Sequence, residues 1–443
     1  MESGKNEAVF LDKKYVIPFI LITSLFFLWG IANDLTNPMV SAFKKVMPEL
    51  SNTQAAFVQL AFYGGYATMA IPAALFIRKF SYKSGILLGL SLYAIGALLF
   101  YPAAKFEVFG YFLASLYILT FGLAFLETTS NPFILSMGHP DTATRRLNLS
   151  QAFNPMGSLL GMLVAQLFVI KYLRSAQYTP DAYQILPDVE KAAIRTHDLN
   201  IISTPYIGLG IFVLFMFILI AIVKIPKKRE HDTLPLLKAI KLLFSNKRYY
   251  EGVIAQAFYV GAQIMMWTFI YQYVDNLNNM RPAGEQLTAT WFNMAAMGSF
   301  LTGRWLSTYL MNYFKPVKMM LVFAVMAMLL TLGTIFIVGI GGLYCLVGVS
   351  VFMSLMFPTI YGIALKDMGD EAKLGSAGLV MAIVGGALMP PLQANIMDIG
   401  GGGFSDVLYF GYVPEVNLSF ILPFICFVVV AAYSYRAYKY HGG

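Results

Sequence analysis

Long apolar runs alternate along this chain with short polar connections. The runs repeatedly reach the roughly 20 residues that an α-helix needs to cross about 30 Å of hydrocarbon. Segments of alternating polarity, which a membrane barrel would need, are missing. Spans are predicted near residues 16 to 42, 53 to 77, 84 to 103, 108 to 137, 148 to 171 and 202 to 223. Six more are predicted near 250 to 274, 286 to 312, 317 to 338, 341 to 365, 374 to 397 and 417 to 435. The expected fold class is an all-α integral membrane protein with twelve transmembrane helices. The eighth span is the most polar, because it opens on QLTATWFN. Composition agrees: 58% of the 443 residues are hydrophobic and only 12% are charged, outside the range of a water-soluble globular chain. The first run, from about Tyr15, is long enough to span and has no small-residue cleavage site, so it is expected to stay in the mature protein.

Charge adds orientation. Most of the 31 Lys and Arg fall in the amino terminus, the even-numbered connections and the carboxyl terminus. Both termini are therefore expected to be cytoplasmic, in a plasma membrane or the inner membrane of a bacterium. The net charge of +8 is concentrated in the central connection KIPKKREHDTLPLLKAIKLLFSNKRYY. A nucleic acid is not the expected partner there. A positive cytoplasmic loop, with LLKAIKLLF as an interfacial amphipathic helix, is ordinary for such a protein.

That connection also separates two similar halves. Lys79-Phe80-Ser81-Tyr82-Lys83 after span two has a counterpart in Tyr313-Phe314-Lys315-Pro316-Val317-Lys318 after span eight, and SMG before HPDTATRRLNLSQAFNPMGSLLG pairs with KDMG before DEAKLGSAGLVMAIVGGAL. The parallel repeat predicts a six-helix half at 1–223, a linker at 224–249 and a second six-helix half at 250–443.

Several chemistries are excluded. The GGGG at 400–403 precedes no lysine-bearing helix, which removes a phosphate-binding loop. His139, His197, His231 and His441 all map to loops or the tail, which removes a histidine relay, a histidine metal site and a nucleophile–base pair. Neither an enzyme nor a cofactor is expected. Cys345 and Cys426 lie in apolar runs and read as small buried hydrophobes.

What the spans do contain is a few polar residues that lipid cannot tolerate. A carboxylate near the bilayer centre costs at least about 2.5 kcal/mol on insertion scales. Asp34 lies in FLWGIANDLTNP beside Asn33, Thr36 and Asn37, and Glu127 lies in AFLETTSNPF. Asp34 and Asn37 share a helix face; so do Asn148, Gln151 and Asn154 in RLNLSQAFNP, and Gln256, Tyr259, Gln263 and Trp267 in span seven. Amides and carboxylates match vicinal hydroxyls and an aromatic ring can cover a sugar face, which suits a small neutral polyol. The same amides can equally join helices, and Trp267 can equally be a packing residue.

SLFFLWGIAND, QLAFYGGY with IPAALFIRKFSYKSGILLGLSLYAIGALLF, LETTSNPF, RLNLSQAFN, AQAFYVGAQ and KLGSAGLVMAIVGGALMPP occur in that order. Together they closely resemble the fucose permease branch of the major facilitator superfamily. The resemblance implies a twelve-helix monosaccharide transporter that works by alternating access and is usually driven by co-transported protons. It implies that Glu127 is the acid of the fourth helix and that Gln151 and Asn154 are sugar-facing amides of the fifth. The first helix departs from the pattern: Asp34 stands where that family has an amide, and Asn37 where it has an aspartate.

The expected function is thus proton-coupled uptake of L-fucose or a related hexose, with a Na⁺-coupled hexose symporter, a passive sugar facilitator and a transport-inactive membrane sensor as alternatives. Expected sugar contacts are Asp34, Asn37, Glu127, Gln151, Asn154, Gln256, Gln263 and Trp267, with Glu127 and Asp34 also carrying the coupling ion. Oxygens of Asn33, Asp34, Thr36 and Asn37 gathered in one turn are the feature that would suit Na⁺. Arg78, Lys79, Lys83, Arg145 and Arg146 are expected on the cytoplasmic side, either closing an inward gate or serving as positive-inside charge. The expected partners are a monosaccharide, H⁺ or Na⁺ and the bilayer, and the expected state is a monomer.

Overall fold

The computed structural model describes residues 9–36, 39–47, 50, 52–178, 182–183, 185–226, 235–279, 281–282, 284–397 and 408–440. Without water in the hydrocarbon, each apolar run satisfies its backbone by coiling on itself. Eleven segments of the described residues are helical, long and apolar enough to cross a membrane. The twelfth, at the place of the predicted eighth span, is the 22-residue helix Ala289–Leu310, which is more polar because it carries Asn293, Arg304 and several hydroxyls. With it, the described residues hold a helix at each of the twelve predicted span positions.

In chain order the first half comprises α1 (Val16–Thr36), α2 (Met39–Val46), α3 (Asn52–Lys79), α4 (Tyr82–Leu98), α5 (Phe100–Phe106), α6 (Phe109–Leu135), α7 (Ala143–Gln151), α8 (Phe153–Val164) and α9 (Asp188–Ile222). The remainder comprises α10 (Leu236–Ser245), α11 (Lys247–Thr268), α12 (Ile270–Asn278), α13 (Ala289–Leu310), α14 (Pro316–Phe336), α15 (Ile340–Met353), α16 (Met356–Ala364), α17 (Ala372–Met381), α18 (Gly385–Met397), α19 (Glu415–Ser419) and α20 (Ile421–Tyr440). A two-stranded antiparallel ribbon pairs Leu408 with Pro414 and Tyr409 with Val413.

The seventh span is interrupted at Phe269. The fifth and eleventh spans share a pattern. A 3₁₀ turn, Pro140–Thr142, leads into α7, which stops at Gln151 before α8 resumes. The turn Gly369–Glu371 leads into α17, which gives way to the 3₁₀ turn Ala382–Val384 before α18.

One boundary differs from expectation. The sixth span, predicted near 202, begins at Asp188 in a helix of 35 residues. Its first turns, DVEKAAIRTHDLN, are too polar to register as an apolar run, yet they bury Ile194, Asp198 and Leu199. Asp188 and Glu190 in the first turn also suit the helix dipole. His197, expected in a loop, lies on this helix with its Nδ1 2.9 Å from Oδ1 of buried Asp198.

The chain divides into two compact units. One comprises residues 13–133 and 153–229. Its tightest crossing is α1 on α8, where glycines replace side chains at the contact. A Cβ on Gly157 would overlap the carbonyl oxygen of Phe27, one on Gly30 would overlap that of Asn154, and one on Gly161 would lie 2.6 Å from Ile31 O. Elsewhere in this unit Phe100 stacks on Tyr206 at 3.9 Å, and Tyr93 donates to Leu28 O (3.0 Å). Lys83 Nζ caps the end of α9 by donating to Ala221 O and Val223 O.

The other unit comprises residues 1–12, 134–152 and 230–443, so α7 belongs with the helices of the second half. There α7 rests on α16, with Gly362 against the Thr144 side chain, and Asn148 Nδ2 donates to Thr359 Oγ1 (3.2 Å). Arg146 is fully buried and donates to Ile134 O, Leu135 O, Phe10 O and Thr142 Oγ1.

Overpacking a close contact costs typically about 1–3 kcal/mol, and more where backbone must move. Gly157→Val is expected to lower the melting temperature in detergent by several degrees. Gly208→Val, where a Cβ would meet nothing within 4 Å, is expected to leave it unchanged. Equal melting temperatures for the two variants would show that glycine does not set the α1–α8 crossing.

Candidate functional site

The polar residues of the spans fall into one cluster in each unit. In the unit of residues 13–133 and 153–229, α6 carries Glu127, which is 6% exposed. Tyr66 of α3 donates to its Oε1 (3.2 Å), while Oε2 is buried with no hydrogen-bond partner among the described residues. One turn away on α3, Tyr63 lies within electrostatic reach of Asp34, which α1 holds 8% exposed. Tyr66 thus supplies a phenol to Glu127, with Tyr63 one turn away on the same helix. A phenol can donate to a carboxylate and accept from a carboxylic acid, so the Tyr66–Glu127 partnership survives a change of protonation.

Around these acids the other first-helix residues are partly committed. The Thr36 hydroxyl donates to Ala32 O (2.8 Å) and meets Tyr206 Oη at 3.1 Å. Asn33 Oδ1 is buried without a partner among the described residues. Asn37 lies outside the described residues. Asn154, at the start of α8, donates from Nδ2 to Phe26 O (3.2 Å), which ties the fifth span to the first. Trp29 is buried beside Phe26, with ring centroids 4.3 Å apart.

In the unit of residues 1–12, 134–152 and 230–443, α11 carries Gln256, Tyr259, Gln263 and Trp267 on one helical stripe, as their spacing predicts. Gln256 is fully buried, and neither its Oε1 nor its Nε2 has a partner among the described residues. Tyr259 donates to Met353 O (3.0 Å). Gln263 is half-buried. Trp267 is held on three sides: Nε1 donates to Ser350 Oγ (3.2 Å), the ring meets Phe300 edge-on at 5.1 Å, and its carbonyl accepts from Asn293 Nδ2 (3.0 Å).

Beside this stripe α13 places Arg304, 3% exposed. Its guanidinium lies 4.8 Å from the Phe300 ring centroid, and Nη1 donates to Gln151 O (3.2 Å). No carboxylate lies within ion-pair distance of it among the described residues, and its Nε is unpartnered. A buried guanidinium in that state is costly, and what it holds is the last residue of α7. Gln151 is therefore fixed by its backbone, while Asn148, one turn earlier, spends its Nδ2 on Thr144 O and Thr359 Oγ1. The chain breaks its helix at Ala152, so the amide face expected over Asn148, Gln151 and Asn154 is split between α7 and α8.

Two groups of residues add to their sequence reading. Lys83 and Arg146 spend donors on backbone carbonyls, Arg146 also on the Thr142 hydroxyl, and Arg145 lies over the Phe10 ring, contacts that accompany rather than replace the expected gate or positive-inside roles. Tyr63, Tyr66 and Arg304 are not legible as site residues from the sequence. The tyrosines sit in FYGGYATMAIPAA, which reads as a packing segment, and Arg304 sits near enough to the end of its span to pass for a charge of the following connection. The available signals were two phenols three residues apart inside a span and an arginine eight residues inside its predicted end.

Comparison with known proteins matches this architecture. The model of the Major Facilitator Superfamily matches residues 17–391. The chain is 56% identical over 434 residues to an L-fucose-proton symporter of Haemophilus influenzae, covering 97% of this chain and 98% of that protein. It is 29% identical over 423 residues to a glucose/galactose transporter of Brucella abortus, covering 95% of this chain and 94% of that protein. Among solved structures it is similar to the crystal structure of the Escherichia coli fucose:proton symporter FucP, with a TM-score of 0.84 and 31% identity over 96% of this chain and 99% of that chain. A family match across most of the chain, a relative at such identity and a helix at each of the twelve predicted spans lead to one conclusion: the chain belongs to the Major Facilitator Superfamily and is a membrane transporter, not an enzyme.

Proposed function

We propose that this transporter takes up L-fucose, or a closely related hexose, together with a proton by alternating access, with both termini in the cytoplasm. The observation that carries the coupling is Glu127: a buried carboxyl with one oxygen on Tyr66 and the other without a partner among the described residues. Such a group has a place for a proton, and its phenol partner is compatible with both states. Asp34, within electrostatic reach of Tyr63, is the second acid of the coupling site. The fucose-proton symporter relatives support both the proton and the sugar, and the glucose/galactose transporters support the wider hexose class.

The sodium reading is less well supplied, because the Thr36 hydroxyl is already held between Ala32 O and Tyr206 Oη. Asn37 remains part of the proposed sugar site on the strength of its sequence position. Gln256 contributes an amide whose two polar atoms are both unspent among the described residues, and Gln263 a second amide one turn beyond Tyr259. Asn154 offers its Oδ1, its Nδ2 being used on Phe26. Trp267, pinned by Ser350 and Phe300, presents a rigid aromatic surface rather than a mobile one. Gln151 meets the sugar from a backbone that Arg304 holds still.

The direct test is uphill uptake in proteoliposomes. With one-to-one coupling, each pH unit of imposed gradient supports about tenfold accumulation of L-fucose. Sodium-free vesicles should show this accumulation and take up protons when the sugar is added. Accumulation that needs Na⁺ and leaves pH unchanged would refute the proton reading, and equilibration without accumulation would indicate a facilitator.

Glu127→Gln mimics the protonated acid. It is expected to retain sugar counterflow across the membrane while accumulation falls to equality of the two sides, and Asp34→Asn is expected to behave alike. Tyr66→Phe should keep transport and change its pH profile. Unaltered accumulation in Glu127→Gln would remove Glu127 from the coupling step.

Arg304 acts as a positioning residue. A hydrogen bond from a charged donor contributes about 1.5–3 kcal/mol. Arg304→Met is expected to raise the KM for sugar by roughly tenfold or more, with turnover at saturating sugar less affected, and Arg304→Lys should recover part of the loss. An unchanged KM in folded Arg304→Met protein would count against this role.

A further inference from the structure

The positive connection between the sixth and seventh spans contains one folded element that the transport site does not use. Helix α10 packs on its own unit through Ala239 and Leu243, with Leu243 in contact distance of Gly375 on α17. At 100° per residue, these two occupy one edge of the helix. Next around the circumference come Leu236, Ile240, Phe244 and Leu237, all exposed, with Phe244 at 71% and Leu237 at 81%. Lys241, Ser245 and Lys238 follow as a basic arc, and exposed Leu242 lies between that arc and the protein contact. The surface therefore carries a broad bare apolar face beside lysines, with one further leucine on their far side.

Four large apolar side chains in a row are not a solvated face, and the chain itself indicates what covers them. α10 ends one residue before α11, a membrane-crossing helix that Asn246 caps through its side chain (3.3 Å to Tyr249 N). The end of α10 is thus one residue from the start of a helix long and apolar enough to cross a membrane. From Leu236 to Ser245 there is no Asp or Glu, whereas Lys238 and Lys241 are present with Lys247 just beyond, and Arg248 is paired with Asp367. Apolar side chains flanked by lysine fit an acyl boundary beneath phosphate headgroups, and each such lysine gains affinity from anionic lipid.

We propose that α10 is an interfacial anchor for anionic phospholipid. Leu236, Leu237, Ile240 and Phe244 enter the acyl boundary, and Lys238 and Lys241 bind headgroup phosphates. Through Leu243 and Gly375 the contact bears on α17, the short helix that opens the eleventh span, so leaflet charge is linked to a segment of the transport core.

The test uses the full-length transporter in lipid nanodiscs. With Cys345 and Cys426 replaced by Ser, a nitroxide is placed in turn at Leu237→Cys, Phe244→Cys and Lys241→Cys, and its access to oxygen and to a water-soluble nickel chelate is measured. In discs containing phosphatidylglycerol, the labels at 237 and 244 are expected to be open to oxygen and shielded from nickel, and the label at 241 the reverse. Nickel access at 237 and 244 should rise several-fold in purely zwitterionic discs, or on adding Lys238→Gln and Lys241→Gln. Nickel access at 237 and 244 in both lipids would overturn the anchor, and low access to both reagents would show a protein cover instead. Equal shielding in both lipids would overturn the anionic preference. With the cysteines intact, Lys238→Gln plus Lys241→Gln should reduce the phosphatidylglycerol retained in native mass spectra, and equal retention would count against the proposal.

Discussion

Inside the hydrocarbon a polar group has no water to turn to, so every donor and acceptor must be met by the protein itself, and most of this structure follows from that requirement. Backbone groups are met by coiling into helices. Hydroxyls are met on the same helix: Thr36 donates to Ala32 O, Thr120 to Leu116 O, Thr129 to Phe125 O, Ser203 to Leu199 O and Ser434 to Val430 O. Buried Arg146 is met by three carbonyls and a hydroxyl. Against that background the exceptions stand out. They include Glu127 Oε2, both amide atoms of Gln256 and Arg304 Nε, left without partners among the described residues on buried side chains where such vacancies are expensive.

Two spans near these residues are interrupted. The break at Phe269 falls just beyond the α11 stripe, and the break at Ala152 falls between Gln151 and Asn154. An interrupted helix frees carbonyls from the regular ladder, and Arg304 uses one of them, on Gln151. The same interruption lets Gln151 and Asn154 be held by different neighbours, Arg304 for one and Phe26 for the other. Glycine serves the complementary purpose. Gly30, Gly157 and Gly161 bring α1 and α8 close enough for Asn154 and Ser158 to reach first-helix carbonyls.

Fold class, span number and the approximate place of every span were legible in the chain, because burial in lipid leaves an apolar run about 20 residues long whatever the surrounding packing. Asp34, Glu127 and the α11 stripe were legible for the same reason inverted: a polar residue in such a run has to be explained. The start of the sixth span at Asp188 was not, since a helix that extends beyond the apolar layer on polar residues leaves no hydropathy signal.

Only the tertiary structure decided which polar residues meet. That Tyr66 and not another hydroxyl faces Glu127, and that Arg304 holds Gln151 O, depend on contacts between residues 61 and 153 positions apart in the chain. The regrouping of residues 134–152 with the second half is of the same kind. Hydrophobic periodicity reports where a residue sits relative to lipid, a property of its own segment. A hydrogen bond between helices reports rotation and register of two segments at once, and no single stretch of sequence carries that information.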